Sequence, residues 1–129
     1  MDLTFTEEQD LLRETVRGLC QRHADLTVVR QLEDDPVGYP EKLWTALGDT
    51  GLLDMTELSM LDAAIVYGEF GRSLAPSPHF ASSVICAGIL GTPGSERITV
   101  PAWIEPSRGF GEKGIALRAG ALTGTKRHV

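Results

Sequence analysis

Through residues 1–91 the apolar side chains recur at helical spacing, and beyond Gly94 that spacing stops. In "FTEEQDLLRETVRGLCQRHAD", Leu12, Val16, Leu19 and Cys20 fall on one face, at steps of four, three and one. Thr6 with Gln9 gives the T-x-x-Q form of a capping box, and Glu7 and Glu8 sit where the helix dipole favours negative charge. The pattern predicts an amphipathic helix that packs on something. Residues 26–39 carry "EDDP" and "GYP" and read as a polar, turn-rich connection. Pro40 then stands as the first position of a short helix, "PEKLWTALGDTG", with Leu43, Trp44 and Leu47 as its stripe and Gly51 as its stop.

A third helix is predicted after Thr56, in "ELSMLDAAIVYGEFGRSL". Leu58, Leu61, Ala64 and Ile65 share one side, and Gly68 and Gly71 would admit a neighbouring backbone. Pro76 and Pro78 break the chain before "PHFASSVICAGILG", a fourth helix whose small residues suit tight helix–helix packing. Past Gly94, "RITVPAWI" is β-branched and aromatic, and "GIALRAGALTG" alternates weakly. Pro106 and Gly109 would lie in a connecting turn. The fold class is therefore mainly α: an antiparallel helical bundle over residues 1–94, then the beginning of a β-barrel-like domain over residues 95–129. A β-domain of about 30 residues cannot bury a core of its own, so a truncated chain is expected.

Charge narrows the choice. Eighteen acidic and twelve basic side chains leave a net charge of −6, which disfavours non-specific nucleic-acid binding. The short basic run "TKRH" at 125–128 does not overturn that. No stretch approaches the roughly 18 apolar residues of a membrane span. The start of the chain is acidic and polar, unlike a secretory signal, so a cytoplasmic protein is expected. Cys20 and Cys86 read as buried thiols. His23, His79 and His128 include no pair at metal-ligand spacing, so no metal is assigned. Ser82 and Ser83 lack a nucleophile elbow, and no dinucleotide or P-loop fingerprint is present. Glu57, Asp62 and Glu69 read as a solvated face, and Trp44 and Phe70 as core. From these residues alone, a small helical binding module that folds without a cofactor is also open.

Five phrases, in order, resemble the acyl-CoA dehydrogenase family: "LTFTEEQDLLRETVRGL", "LWTALGDTGLL", "LDAAIVYGEFGRSLAPSP", "AWIEP" in place of the common T-E-P, and "LTGTKRHV" in place of an N-G-T-K-R strand. The resemblance implies FAD as cofactor and α,β-dehydrogenation of an acyl-CoA thioester. It also implies a homo- or hetero-oligomer and an electron-accepting flavoprotein. In "PAWIEPSRGFG" it places Trp103 and Ile104 beside the flavin ring, with Gly109 and Phe110 in the loop that reaches flavin and thioester. Ile104 and Phe110 stand where the family usually has threonine and serine, so two hydroxyl donors are lost. A non-catalytic partner subunit of a heteromeric dehydrogenase is the alternative that those losses suggest. The loop after "TGLL" and the connection before "RITV" are shorter than in the family. No catalytic base is assigned: Glu105 is read as a turn residue.

Overall fold

The computed structural model describes residues 4–105, 109–110 and 115–127. It divides into two compact units, Met1–Ile98 and Thr99–Val129.

The first unit is helical. Helix α1, Glu7–His23, opens on the predicted capping box: the Gln9 amide donates to Thr6 Oγ1 at 3.2 Å, and the Thr6 amide to Gln9 Oε1 at 3.1 Å. Its apolar stripe is buried as the spacing predicts, with Val16, Leu19 and Cys20 in the core and Leu12 packed against it. The connection that follows is more ordered than its composition suggests. Asp25 accepts from the Thr27 and Val28 amides and starts a short helix, α2, Leu26–Gln31, so the polar stretch 26–39 is not turn throughout. The aspartate cap was the available signal.

Helix α3, Glu41–Asp49, buries Leu43, Trp44 and Leu47. Pro40 is its N-cap, one residue outside the predicted position. Helix α4, Met60–Ser73, begins three residues later than the apolar pattern implies, because Ser59 and Asp62 form a second capping box. Leu58 and Ile65 pack inward, whereas Leu61 and Ala64 are exposed. Gly68 and Gly71 face open space rather than a neighbouring backbone.

Helices α1 and α4 lie side by side and keep step. Gln9 reaches Asp62, and two turns further on Arg17 reaches Glu69. The two helices therefore run in the same direction, as the first and third long helices of an up-down-up order do. The α3 segment between them returns the chain.

The predicted fourth helix is a π-helix, Phe80–Cys86, continued by one α-helical turn, α5, Ala87–Leu90. It buries Ser82, Ser83, Cys86 and Ala87, so its small residues do form the packed face. The chain then crosses back to α3, where the Trp44 indole N–H donates to the Glu96 carbonyl at 2.9 Å. Gly94 passes so near Leu53 that an added Cβ would overlap the Leu53 carbonyl. The unit closes on one core, with Val16, Cys20, Leu43, Leu47 and Val66 at its centre.

The second unit holds short antiparallel pairs. Strands β1, Ile104–Glu105, and β2, Gly109–Phe110, pair as Ile104 with Phe110 and Glu105 with Gly109. Gly109 is thus a strand residue opposite Glu105, not part of the turn; Pro106 lies outside the described residues. "RITVPAWI" contributes only its last residue to a strand. The weakly alternating stretch becomes a hairpin, β3, Ala116–Arg118, and β4, Ala121–Thr123. Ala119 and Gly120 turn it with φ of 48° and 79°, both positive as a two-residue turn of this kind requires.

Candidate functional site

The residues singled out in the sequence come together in the β1–β2 pair. Ile104 and Phe110 face each other across it, Gly109 sits one register step away, and Trp103 precedes the first strand. Trp103 keeps 42% of its surface exposed, enough to offer an aromatic face to a flat ligand. The Ile104 carbonyl accepts the Arg127 N–H at 2.8 Å, so it is already engaged within the unit. Ile104 also bridges Arg127 in the antiparallel sense, which joins "WIE" to the "GTKR" stretch. An exposed indole and a glycine on the facing strand fit a planar aromatic cofactor.

The helical unit holds polar groups of a different kind. His79 is fully buried between Tyr67 and the Leu52 carbonyl, at 2.8 Å from its Nδ1 and 2.7 Å from its Nε2. A carbonyl can only accept, which puts the ring proton on Nε2 and leaves Nδ1 to accept from the Tyr67 hydroxyl. Burial lowers the His79 pKa, opposed in part by the bond to Leu52, and burial raises that of Tyr67. The histidine is thus held neutral, wedged edge-on against Trp44, Tyr67 and Phe70. It ties the π-helix to α4 and to the segment after α3.

Glu69 is the second such group, and it corrects the solvated-face reading. It is buried, and Arg17 holds it through Nε and Nη2 at 3.0 and 2.8 Å. The hydrogen bonds from Arg17 are the main reason that its carboxyl titrates below the usual range. Asp62 is lowered too, first by the Ser59 hydroxyl, as expected of a cap. Ser83 is buried and its hydroxyl has no partner among the described residues, so no base stands ready to activate it. Cys20 and Cys86 are free and buried, and burial raises the Cys20 thiol pKa. No cluster of metal-ligating side chains occurs among the described residues. Among those residues, too, no helix is long and apolar enough to cross a membrane.

These polar groups are part of the scaffold. Apart from the Ser59–Asp62 cap, their pairings escaped the sequence because the partners are 12 to 53 positions apart. The Ser59–Asp62 cap and the Glu69–Arg72 pair at 3.7 Å, both at i,i+3, had a readable spacing.

The family model for the acyl-CoA dehydrogenase N-terminal domain matches residues 6–99, which is almost the whole helical unit. The chain belongs to the acyl-CoA dehydrogenase N-terminal domain family. Among curated relatives, acyl-CoA dehydrogenase IpdE2 of Mycobacterium tuberculosis is 41% identical over 85 residues, covering 59% of this chain and 27% of the relative. IpdE2 of Mycolicibacterium smegmatis is 36% identical over 83 residues, covering 57% of this chain and 27% of the relative. The chain thus matches about a quarter of the length of these dehydrogenases. Among solved structures, a chain of the ChsE4–ChsE5 complex from Mycobacterium tuberculosis superposes with a TM-score of 0.74 at 26% identity. That match covers 98% of this chain and 41% of the neighbour, so the likeness in fold extends beyond the helical unit into the β-strands.

Proposed function

We propose that this chain forms the helical domain and the first part of the middle β-domain of an FAD-dependent acyl-CoA dehydrogenase. Residues 1–94 are assigned to the former and 95–129 to the latter. The observation that carries the reading is the continuous family match over residues 6–99, followed directly by the β1–β2 pair. The reaction is α,β-dehydrogenation of an acyl-CoA thioester. When bound, FAD supplies the hydride acceptor.

Each candidate residue then has a definite task. The Trp103 indole covers one face of the ring system, and the Ile104 side chain keeps water from its edge. Gly109 lets the strand approach without a side chain in the way. Phe110, in place of a hydroxyl residue, shifts polar contact with the cofactor from side chains to backbone. The α-proton must be removed by a carboxylate while the thioester carbonyl is polarised by hydrogen bonds. None of the residues described is assigned as that base.

Both curated relatives are named as acyl-CoA dehydrogenases, which favours the enzyme over a non-catalytic partner subunit. The ChsE4–ChsE5 complex supports an oligomeric working form. A cytoplasmic location and an electron-accepting flavoprotein complete the proposal. The test is to purify the longest natural form of the protein and record its visible spectrum with and without the Trp103→Ala substitution. Bound flavin whose absorbance or retention changes in the variant supports the assignment. A folded protein that takes up no flavin, alone or with a second subunit, overturns it.

A further inference from the structure

The π-helix, Phe80–Cys86, is held to the rest of the helical unit at few points. Helices α1, α3 and α4 share one core, and among the described residues the π-helix adds only Val84 to its edge. Cys86 and Ala87 are buried but lie outside that core. Phe80 touches Tyr67 edge-on, with 5.3 Å between ring centroids, and is otherwise half exposed. A π-helix rarely exceeds a single turn, so seven residues in that register depend on their anchoring. The link from α4 gives little support, since Leu74 caps that helix at φ 52°, a left-handed conformation strained for a leucine.

The main anchor is His79, just before the π-helix. Its ring is fully buried and bonded to the Tyr67 hydroxyl on one side and the Leu52 carbonyl on the other. Helix α3 presents Trp44 to it, and α4 presents Tyr67 and Phe70, all edge-on. Ser77, in the turn before it, accepts from its backbone N–H. Of these groups only Tyr67 titrates, and burial pushes its hydroxyl upward, so it stays neutral. Glu69, next to Phe70 in the chain, is taken by Arg17. Among the described residues, therefore, no carboxylate faces the ring.

Both ring nitrogens are committed in the neutral form. A proton on Nδ1 turns that acceptor into a donor aimed at the Tyr67 hydroxyl, which must then give up its own donor bond. It also creates a buried cation with no partner. Proton uptake thus requires the ring to reach water, and the ring cannot do so without drawing the start of the π-helix with it.

We propose that His79 is an acid-released latch: when its ring takes up a proton, the π-helical segment opens from α4 while α1, α3 and α4 keep their shared core. The proton passes from solvent to Nδ1, and the two hydrogen bonds of the ring are exchanged for bonds to water.

Two cysteines report on the two parts. Cys86 lies on the π-helix and Cys20 in the α1 core, and both thiols are free and buried. The longest natural form of the protein is labelled with dithiodipyridine, which reacts with thiols in mild acid, and peptide mass mapping separates the sites. Each rate is divided by that of the denatured protein at the same pH. An exposed imidazole titrates at about 6.5, so opening should rise about tenfold between about pH 7.5 and about pH 5.5. At the acid end Cys86 should label at least about tenfold faster than Cys20, and low urea should barely change its rate, as expected of local opening. His79→Gln, which keeps a donor and an acceptor but takes up no proton in this range, should abolish the rise at Cys86.

Equal labelling of both cysteines with the same urea dependence would overturn the proposal, because the whole unit then opens together. So would a Cys86 rate that ignores pH, or one that rises as steeply in His79→Gln. Should His79→Gln fail to fold, Tyr67→Phe takes its place. It removes the Nδ1 partner, so Cys86 should label faster already at neutral pH, and an unchanged rate would contradict the latch.

Discussion

Arg17 on α1 clamps Glu69 on α4 through two hydrogen bonds, of 2.8 and 3.0 Å. The carboxylate is buried while the arginine is about one-third exposed, so the two partners depend unequally on each other. Glu69 has no other strong donor: Arg72 stands 3.7 Å away. The pair fixes the register in which α1 and α4 run side by side.

Removing the arginine should therefore do more harm than removing the charge it holds. Arg17→Ala leaves a buried carboxylate without its main partner, whereas Glu69→Gln leaves an arginine able to reach water. The expected order of Tm at neutral pH is wild type, then Glu69→Gln, then Arg17→Ala. The folded-state pKa of Glu69 is depressed, so its contribution is full above the ordinary value of 4.5 and is lost as pH falls through the folded value. Thermal melts between neutral and strongly acidic pH should show a shallower acid slope in Arg17→Ala.

His79 gives a second, higher acid window. Its folded pKa lies below the ordinary 6.5, chiefly through burial, so the unfolded chain binds the proton more readily. Stability from the neutral ring is full above about pH 6.5 and falls as pH drops towards the folded value. His79→Ala should remove that slope. It should also cost about 2–4 kcal/mol, because it empties a buried site and strands the Tyr67 hydroxyl and the Leu52 carbonyl. Urea unfolding of both proteins across this pH range measures both effects.

Gly94 should tolerate no side chain. An added Cβ meets the Leu53 carbonyl, a backbone atom that cannot swing aside, so Gly94→Ala must displace one of the two segments. A loss of about 1–3 kcal/mol is expected in chemical denaturation, typical of overpacking. The indole of Trp44, anchored to Glu96 two residues along, should report the shift in its fluorescence.

Ser83 should behave in the opposite way. Its hydroxyl is buried without a partner among the described residues, so Ser83→Ala removes an unsatisfied polar atom at little loss of packing. Equal or higher stability is expected, with flavin content unchanged. A marked loss of either would show that the hydroxyl has a role in the assembled protein.

The readable parts of the sequence were those governed by neighbours along the chain. The stripe Leu12–Val16–Leu19–Cys20, the box Thr6–Gln9 and the stripe Leu43–Trp44–Leu47 depend on spacings within one helix, and the structure reproduces each. Glu69 was misread because its burial depends on Arg17, 52 positions earlier, and nothing local distinguishes it from a surface glutamate. The parallel course of α1 and α4 follows from the α3 return between them, not from either helix. The π-helical register of Phe80–Cys86 has no signature in apolar periodicity, which differs little from that of an α-helix over seven residues. At the candidate site, the order of "AWIEP" and "GTKR" was legible. The Ile104–Arg127 bond that joins them was not.

The most direct measurement is an anaerobic titration of the longest natural form of this protein with an acyl-CoA, followed through the visible flavin bands. A dehydrogenase should show bound flavin whose absorbance bleaches as the thioester is added, with the enoyl-CoA appearing in step. Flavin that stays oxidised across a series of acyl-CoAs, or a folded protein with no flavin under any pairing, would contradict the account.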